Sequence, residues 1–275
     1  MSKKNKWLFF TAGLGSPDFE ASATRLVEQA ASFELFDTVK AFTTEEVLEL
    51  CPRLTKWYGV ESLTQIKGYG WYTWKPTLAD LVIRQKMLGE FDGFMYLDSG
   101  CEMFLSSMSK KRLASMMDNA ISHGATLFAI PTPEIWHSKN DLLKIYNCTD
   151  DQILSNQFQS GSWLLSNSEN SLRLVQKWEE VASKGPHMTD ESPSVSGENV
   201  DFKVHRYDQA IFSLTCKELG FSPSRHKIPG SNQSYKYLIR AFTYPFWWSR
   251  NRYGKSVIPK FLVTLGKISL WGCRK

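Results

Sequence analysis

Short apolar runs alternate with segments of helical periodicity along this chain, and that alternation leaves few architectures open to it. Trp7-Leu-Phe-Phe-Thr-Ala-Gly13 is apolar, brief and ended by glycine, which reads as a buried strand. Ser16-Pro17 then opens a stretch in which Phe19, Ala23, Leu26, Val27 and Ala30 recur at helical spacing. A second strand follows over Phe36 to Phe42, and Thr43-Thr-Glu-Glu46 sets a hydroxyl cap and two carboxylates at the start of a helix. This β-α-β-α order predicts an α/β fold with a mostly parallel central sheet and flanking helices.

Further on, the pattern predicts a helix from Pro76 and Asp80 through Leu88, stopped by Gly89, and a strand from Phe91 to Asp98. Lys110 to Ser122 is an amphipathic helix, Ala125 to Ile130 and Phe158 to Leu165 are strands, and Asn167-Ser168 caps another helix. Gly185 to Val200, rich in proline, glycine, serine and threonine, reads as a polar loop serving as a mobile lid or disordered insertion. Tyr207 to Leu219 is helical, and Gly220 stops it.

Composition narrows the class. A chain of 275 residues with 42% hydrophobic and 22% charged residues buries a substantial core, which excludes a disordered or disulfide-stapled miniature. Cys51, Cys101, Cys148, Cys216 and Cys273 stand far apart with no C-x-x-C pair, so a reducing, cytoplasmic compartment is expected. The apolar run after the basic Met1 to Lys6 is broken by Gly13, Gly15, Pro17 and Asp18, unlike a secretion signal. Phe261 to Trp271 is too short to span a bilayer.

Charge is unevenly spread. After Glu218 no acidic residue occurs, while eleven lysines and arginines follow among Phe242, Tyr244, Phe246, Trp247, Trp248, Tyr253, Phe261 and Trp271. The rest of the chain holds 22 basic against 28 acidic residues. Bases among amphipathic rings suit an anionic membrane surface, with peripheral attachment; they suit single-stranded nucleic acid less well. The alternative is that Trp247 and Trp248 close the core and the bases are solvated surface. The expected division is a domain over 1–220 and a basic aromatic extension over 221–275.

Rare residue types concentrate in four segments, Gly68-Tyr-Gly-Trp-Tyr-Thr-Trp-Lys-Pro76, Tyr96-Leu-Asp-Ser-Gly-Cys-Glu102, Gln157-Phe-Gln-Ser-Gly161 and His205-Arg-Tyr-Asp-Gln209, and Trp136-His-Ser-Lys-Asn-Asp141 joins them in the match that follows. In this order, within residues 7–220, they resemble a family of GT-A type nucleotide-sugar glycosyltransferases, the transferases of polysaccharide biosynthesis. The resemblance implies a Rossmann-related sheet. It also implies transfer of a sugar from a nucleotide-sugar donor to a glycan or lipid-linked acceptor.

Asp98 ends an apolar strand, where ligands bind in open α/β sheets, and Ser99 and Gly100 leave room for a diphosphate. A carboxylate there holds either a ribose hydroxyl or a divalent cation, Mn or Mg, whose charge would neutralise a departing nucleoside diphosphate. The family's Asp-x-Asp is here Asp98-Ser99-Gly100, so Glu102 or His226 would have to complete a metal site. Thr11, Ala12 and Phe42, at the first strand ends, would border the nucleoside. Trp71, Tyr72 and Trp74 either stack on a sugar or base or pack in the core, and Lys75 would reach phosphate. Gln159, Gly161 and His205 fall on the acceptor side of the resembled fold. Asp208 and Gln209 match the position of the catalytic base or acceptor contact; otherwise Asp208 stabilises a helix N-terminus.

Gly13-Leu-Gly15 imitates a dinucleotide fingerprint, but Asp18 stands where its third glycine belongs, so a reductase is disfavoured. The rival from another class is a non-catalytic binding module on a degenerate transferase fold.

Overall fold

The computed structural model describes residues 5–225, 243–251 and 254–255. Its elements in chain order are β1 Trp7–Ala12, α1 Pro17–Ala31, β2 Thr38–Phe42, α2 Thr44–Leu50, α3 Arg53–Tyr58, α4 Val60–Leu63, α5 Gly68–Trp71, α6 Trp74–Ile83, β3 Gly93–Leu97, β4 Glu102–Met103, α7 Ser107–His123, β5 Ala125–Pro133, α8 Asn140–Ile145, α9 Asp150–Leu154, β6 Asn156–Ser166, α10 Glu169–Ala182, α11 Tyr207–Glu218 and β7 Phe246–Trp247.

The local signals explain the boundaries. Ser16 caps α1 through Phe19 N, with Pro17 in the first turn. Thr43 and Glu46 close a reciprocal capping box on α2. Helix α6 departs from the expectation: it begins at Trp74 and ends at Ile83, because Lys86 and Gly89 both take left-handed backbone (φ 55° and 105°) and unwind the segment before Gly89.

The central sheet runs β2-β1-β3-β6-β5. β1 pairs in parallel with both β2 and β3, while β6 is antiparallel to β3 and β5, so four of these five strands point one way. With neighbours on both sides and helices over both faces, β1 is buried at every position. Leu8 and Phe10 face one core with α6, α10 and α11; Phe9 faces the other with α1 and α7. Between Leu127 and Ala129 on β5 the partner on β6 moves from Trp163 to Phe158, a bulge that interrupts the ladder beside Gly161.

Residues 243–251 return to this body. β7 pairs antiparallel with β4, Phe246 and Trp247 are buried, and the Phe246 ring meets Phe128 edge-on at 5.5 Å. Trp248 Nε1 donates to Ser162 Oγ at 2.9 Å. These aromatics close the core, as one of the two alternatives requires. Phe242, Tyr253, Phe261 and Trp271 lie outside the described residues.

The loop expected to be mobile is tied down instead. Lys139 Nζ donates to His187 O, Asp190 Oδ1 and Ser192 Oγ at 2.8, 2.9 and 3.2 Å. Asp141 accepts from Val195 N and Ser196 Oγ, and Glu198 accepts from Asn140 N and Ser194 N. The Trp136 to Asp141 segment is thus the loop's anchor. Among the described residues no helix is long and apolar enough to cross a membrane.

Candidate active site

Three charged side chains from distant segments meet beyond the carboxyl end of β3. Lys75 Nζ, in the first turn of α6, lies 3.0 Å from Asp98 Oδ1 and 3.5 Å from Asp208 Oδ2. Asp98 immediately follows β3, and Asp208 lies in the first turn of α11. The lysine and Asp208 side chains are each 4% exposed, whereas Asp98 is 45% exposed. The cluster therefore presents Asp98 to solvent and keeps Lys75 and Asp208 behind it.

The chain reaches this arrangement through an unusual turn. Gly68, Tyr69, Gly70, Trp71 and Tyr72 all have positive φ, between 55° and 89°, and Trp71 N and Tyr72 N bond back to Lys67 O and Gly68 O. α5 is thus one left-handed turn. Each of its non-glycine residues costs roughly 1–2 kcal/mol there, and surrounding contacts must offset this. Trp71 stacks on Tyr207 at 5.2 Å, Trp74 Nε1 donates to Gly68 O at 2.9 Å, and Arg53, paired with Glu179, donates to Thr73 O at 2.6 Å. The turn sets Tyr72 and Trp74 around the Lys75 ammonium, at 5.0 and 5.9 Å, with Tyr96 at 5.5 Å completing the wall. Backbone strain of this kind concentrates at functional sites.

Asp98 is held from three sides. Tyr96 Oη donates to Oδ1 at 2.9 Å, Asp98 N donates to Gly161 O at 2.8 Å, and the carboxylate lies directly over Gly161. A Cβ at position 161 would stand 2.3 Å from Asp98 Oδ2, so the glycine expected to admit a substrate makes room for this carboxylate. Gln159 is beside it, its Oε1 3.6 Å from the same point.

The electrostatics follow from burial and pairing. Desolvation opposes the charge on Lys75, but Asp208 and Asp98 outweigh it and hold its pKa above the ordinary lysine value. Burial pushes Asp208 up to about 6, with Asp98 adding to the shift and Lys75 and Ser160 restraining it. Tyr96 is raised by burial and then by Asp98.

Sequence-expected residues that the cluster does not include have other partners. Thr11 is fully buried, its Oγ1 donating to Leu97 O at 2.7 Å; Ala12 and Phe42 are also buried, Phe42 packing edge-on to Phe10. Ser99 is buried and its carbonyl accepts from Arg25 at 2.9 Å. His205 is turned into the protein, with Nε2 3.0 Å from Met188 O, and burial and then Lys139 push its pKa down to about 3. Gln209 is half-buried and donates to Gln157 Oε1 at 2.7 Å.

Of the metal ligands expected from the sequence, the two described ones have other partners. Glu102 is fully buried on β4, where its carboxylate meets Arg25 at 3.7 Å, Gln29 at 3.4 Å and Asn251. His226 lies outside the described residues, among which no three His, Cys, Asp or Glu side chains form a group able to hold a metal. Asp98 itself carries an ammonium at 3.0 Å.

One buried group went unnoticed in the sequence. Glu134, at the end of β5 and fully buried, accepts from Ser138 Oγ at 2.6 Å, Gln157 Nε2 at 2.9 Å, Ser213 Oγ at 2.6 Å and Lys217 Nζ at 2.7 Å. Through Gln157 it reaches Gln209 and so fixes the α11 side of the cleft.

No protein family's sequence profile matches the chain, and no curated protein matches it. Among solved structures, mouse xyloside xylosyltransferase 1 in its apo form is similar at 12% identity and a TM-score of 0.41, over 88% of this chain and 97% of that one.

Proposed function

We propose that the protein is a glycosyltransferase that moves a sugar from a nucleotide-sugar donor to a glycan or lipid-linked acceptor at the Asp98 cleft. The observation that carries this reading is convergence: Lys75, Asp98, Gly161 and Asp208 come from four separate sequence segments and meet at one point beyond a parallel strand. Packing alone does not require a half-exposed carboxylate there, nor a buried lysine shared between two acids.

In this reading Asp98, the solvent-facing member, contacts the donor. Lys75, buried behind it and walled in by Tyr72, Trp74 and Tyr96, holds the Asp98 carboxylate in place. Asp208 is too buried to meet an acceptor first, and its work is to keep Lys75 charged and aimed. Gln159 and Gln209 border the acceptor side. A lipid-linked acceptor would suit the basic tail, whose bases would draw the enzyme to an anionic surface.

The test is incubation of the purified chain with a panel of nucleotide sugars, reading release of nucleoside diphosphate. Release from at least one donor, lost in Asp98→Asn, supports the reading. A folded chain that releases none, with or without candidate glycan acceptors, favours a binding module on a transferase-like fold.

A further inference from the structure

Three successive carbonyls behind Asp98 are all claimed by groups remote in sequence. The Arg25 guanidinium, on α1 and 5% exposed, donates from one Nη to both Ser99 O and Cys101 O at 2.9 Å. Gly100 O, between them, accepts from Asn251 N at 2.9 Å and from Ser249 Oγ at 2.7 Å, although Ser249 stands 149 residues further along the chain. Glu102 joins the two sides: its buried carboxylate lies 3.7 Å from Arg25 and accepts from Asn251 Nδ2. Directly after β7, Trp248 Nε1 donates at 2.9 Å to Ser162 Oγ, one residue beyond the Gly161 whose carbonyl accepts from Asp98 N. The segment after β7 therefore touches both backbone stretches that carry the cleft, the one bearing Asp98 and the one bearing Gly161.

Water satisfies carbonyls in a solvent-facing turn without any group being buried. Here a guanidinium and a carboxylate are buried to do it, and such a pair often stabilises a fold no more than apolar packing in its place. What the arrangement supplies is fixed geometry at the turn whose carboxylate faces the cleft. β3 ends at Leu97, Asp98 is 45% exposed, and Tyr96 and Lys75 aim only its side chain. Restraint on the carbonyls that follow comes from Arg25, Ser249 and Asn251.

Resting on the nucleotide-sugar reading, we infer that Ser249 and Asn251 are positioning residues for the transfer: with Arg25 they set the Asp98 turn, so residues 246–251 belong to the site and serve it whether or not the basic tail meets a membrane. Misplacement of a positioned group by about 1 Å costs roughly 10- to 100-fold in rate. Loss of one of these hydrogen bonds should act on kcat, where the placement of Asp98 counts most, rather than on donor affinity.

The test uses the full chain with soluble substrates, so that attachment to a membrane plays no part. In Ser249→Ala and Asn251→Ala, deuterium exchange across Asp98 to Met103 should quicken at least about fivefold, while amides of β1 and α10 keep wild-type protection. With a donor that the wild type turns over, kcat for release of nucleoside diphosphate should fall about tenfold and the donor KM should change less than about threefold. Ser249→Thr, which retains the hydroxyl, should restore wild-type exchange and kcat. Ser249→Ala, the milder change, carries the test should Asn251→Ala not fold.

Unchanged exchange across the turn in the folded alanine variants would overturn the inference, as would equal quickening throughout β1 and α10. So would a loss carried wholly by donor KM, or a threonine variant as slow as the alanine one. A turn that loosens as expected in a chain whose wild type turns over no nucleotide sugar would sink the transferase reading and leave the restraint of the turn standing. Wild-type turnover by a chain with a loosened turn would do the reverse.

Discussion

Two buried acid–lysine networks lie about α11 and differ in how completely they are satisfied. Around Glu134 a fully buried carboxylate takes four donors, and Lys217 Nζ also donates to Gln152 O at 3.0 Å and Ser155 O at 3.2 Å. Around Lys75 one ammonium serves two carboxylates, Asp208 Oδ2 receives no hydrogen bond of ordinary geometry, and Asp98 faces solvent. A saturated network fixes structure; one left incomplete and open toward water retains charge for a ligand. The two networks should therefore respond oppositely to single substitutions.

The largest effect on folding should come from the saturated network. Glu134→Ala leaves Lys217 and three other donors without their acceptor and should cost about 3–5 kcal/mol of stability, read as a shift in urea midpoint at constant slope. A loss below about 1 kcal/mol would erase the distinction.

Next in size is a loss of rate without a loss of stability. Asp98→Asn should lower transfer at least about 10²–10³-fold, while changing unfolding free energy by less than about 1 kcal/mol, since its carboxylate is half-exposed. Gly161→Ala should act in the same direction but less strongly. Its new Cβ would push Asp98 Oδ2 out of place, and misplacement of a positioned group by about 1 Å costs roughly 10- to 100-fold in rate.

The smallest effect is a pH signature. Asp208 has a folded pKa of about 6 against an ordinary 3.8, so between those values the folded chain binds more protons than the unfolded one. Its contribution to stability is fully present below pH 4 and is lost as pH rises through about 6. His205, with its folded pKa pushed down to about 3, has the opposite slope over an overlapping window. The difference between wild type and Asp208→Asn isolates the first. Chemical denaturation at pH 4 and pH 7.5 should show Asp208→Asn gaining on the wild type by on the order of 1–2 kcal/mol as pH rises; a flat difference would remove Asp208 from the buried pair.

Much of the framework was legible in the sequence because local chemistry decided it. Ser16, Thr43 and Ser168 announced their helices as caps, β1 as an unbroken apolar run, and Asp98 as the polar end of β3. Asp208 was singled out by its neighbours, but not its depth. Burial of Lys75 depends on two acids remote in sequence, and no periodicity reports such a pairing. The left-handed turn was equally hidden, since Tyr69, Trp71 and Tyr72 disfavour that backbone and accept it only under tertiary contacts. Glu134 draws its donors from β6, α11 and the segment after β5, so only the assembled fold reveals it. The hydrogen bonds of loop 185–200 are not legible in its polar composition, because the anchoring Lys139, Asn140 and Asp141 lie far upstream.

The difference between the networks is tested most directly by measuring, on the same preparations, single-turnover release of nucleoside diphosphate and unfolding free energy for wild type, Asp98→Asn and Glu134→Gln. Asp98→Asn should retain wild-type stability and lose release, while Glu134→Gln should lose stability and keep more release per folded molecule than Asp98→Asn. Release at the wild-type rate by a stable Asp98→Asn chain would contradict the assignment of this cleft as the place where the sugar is transferred.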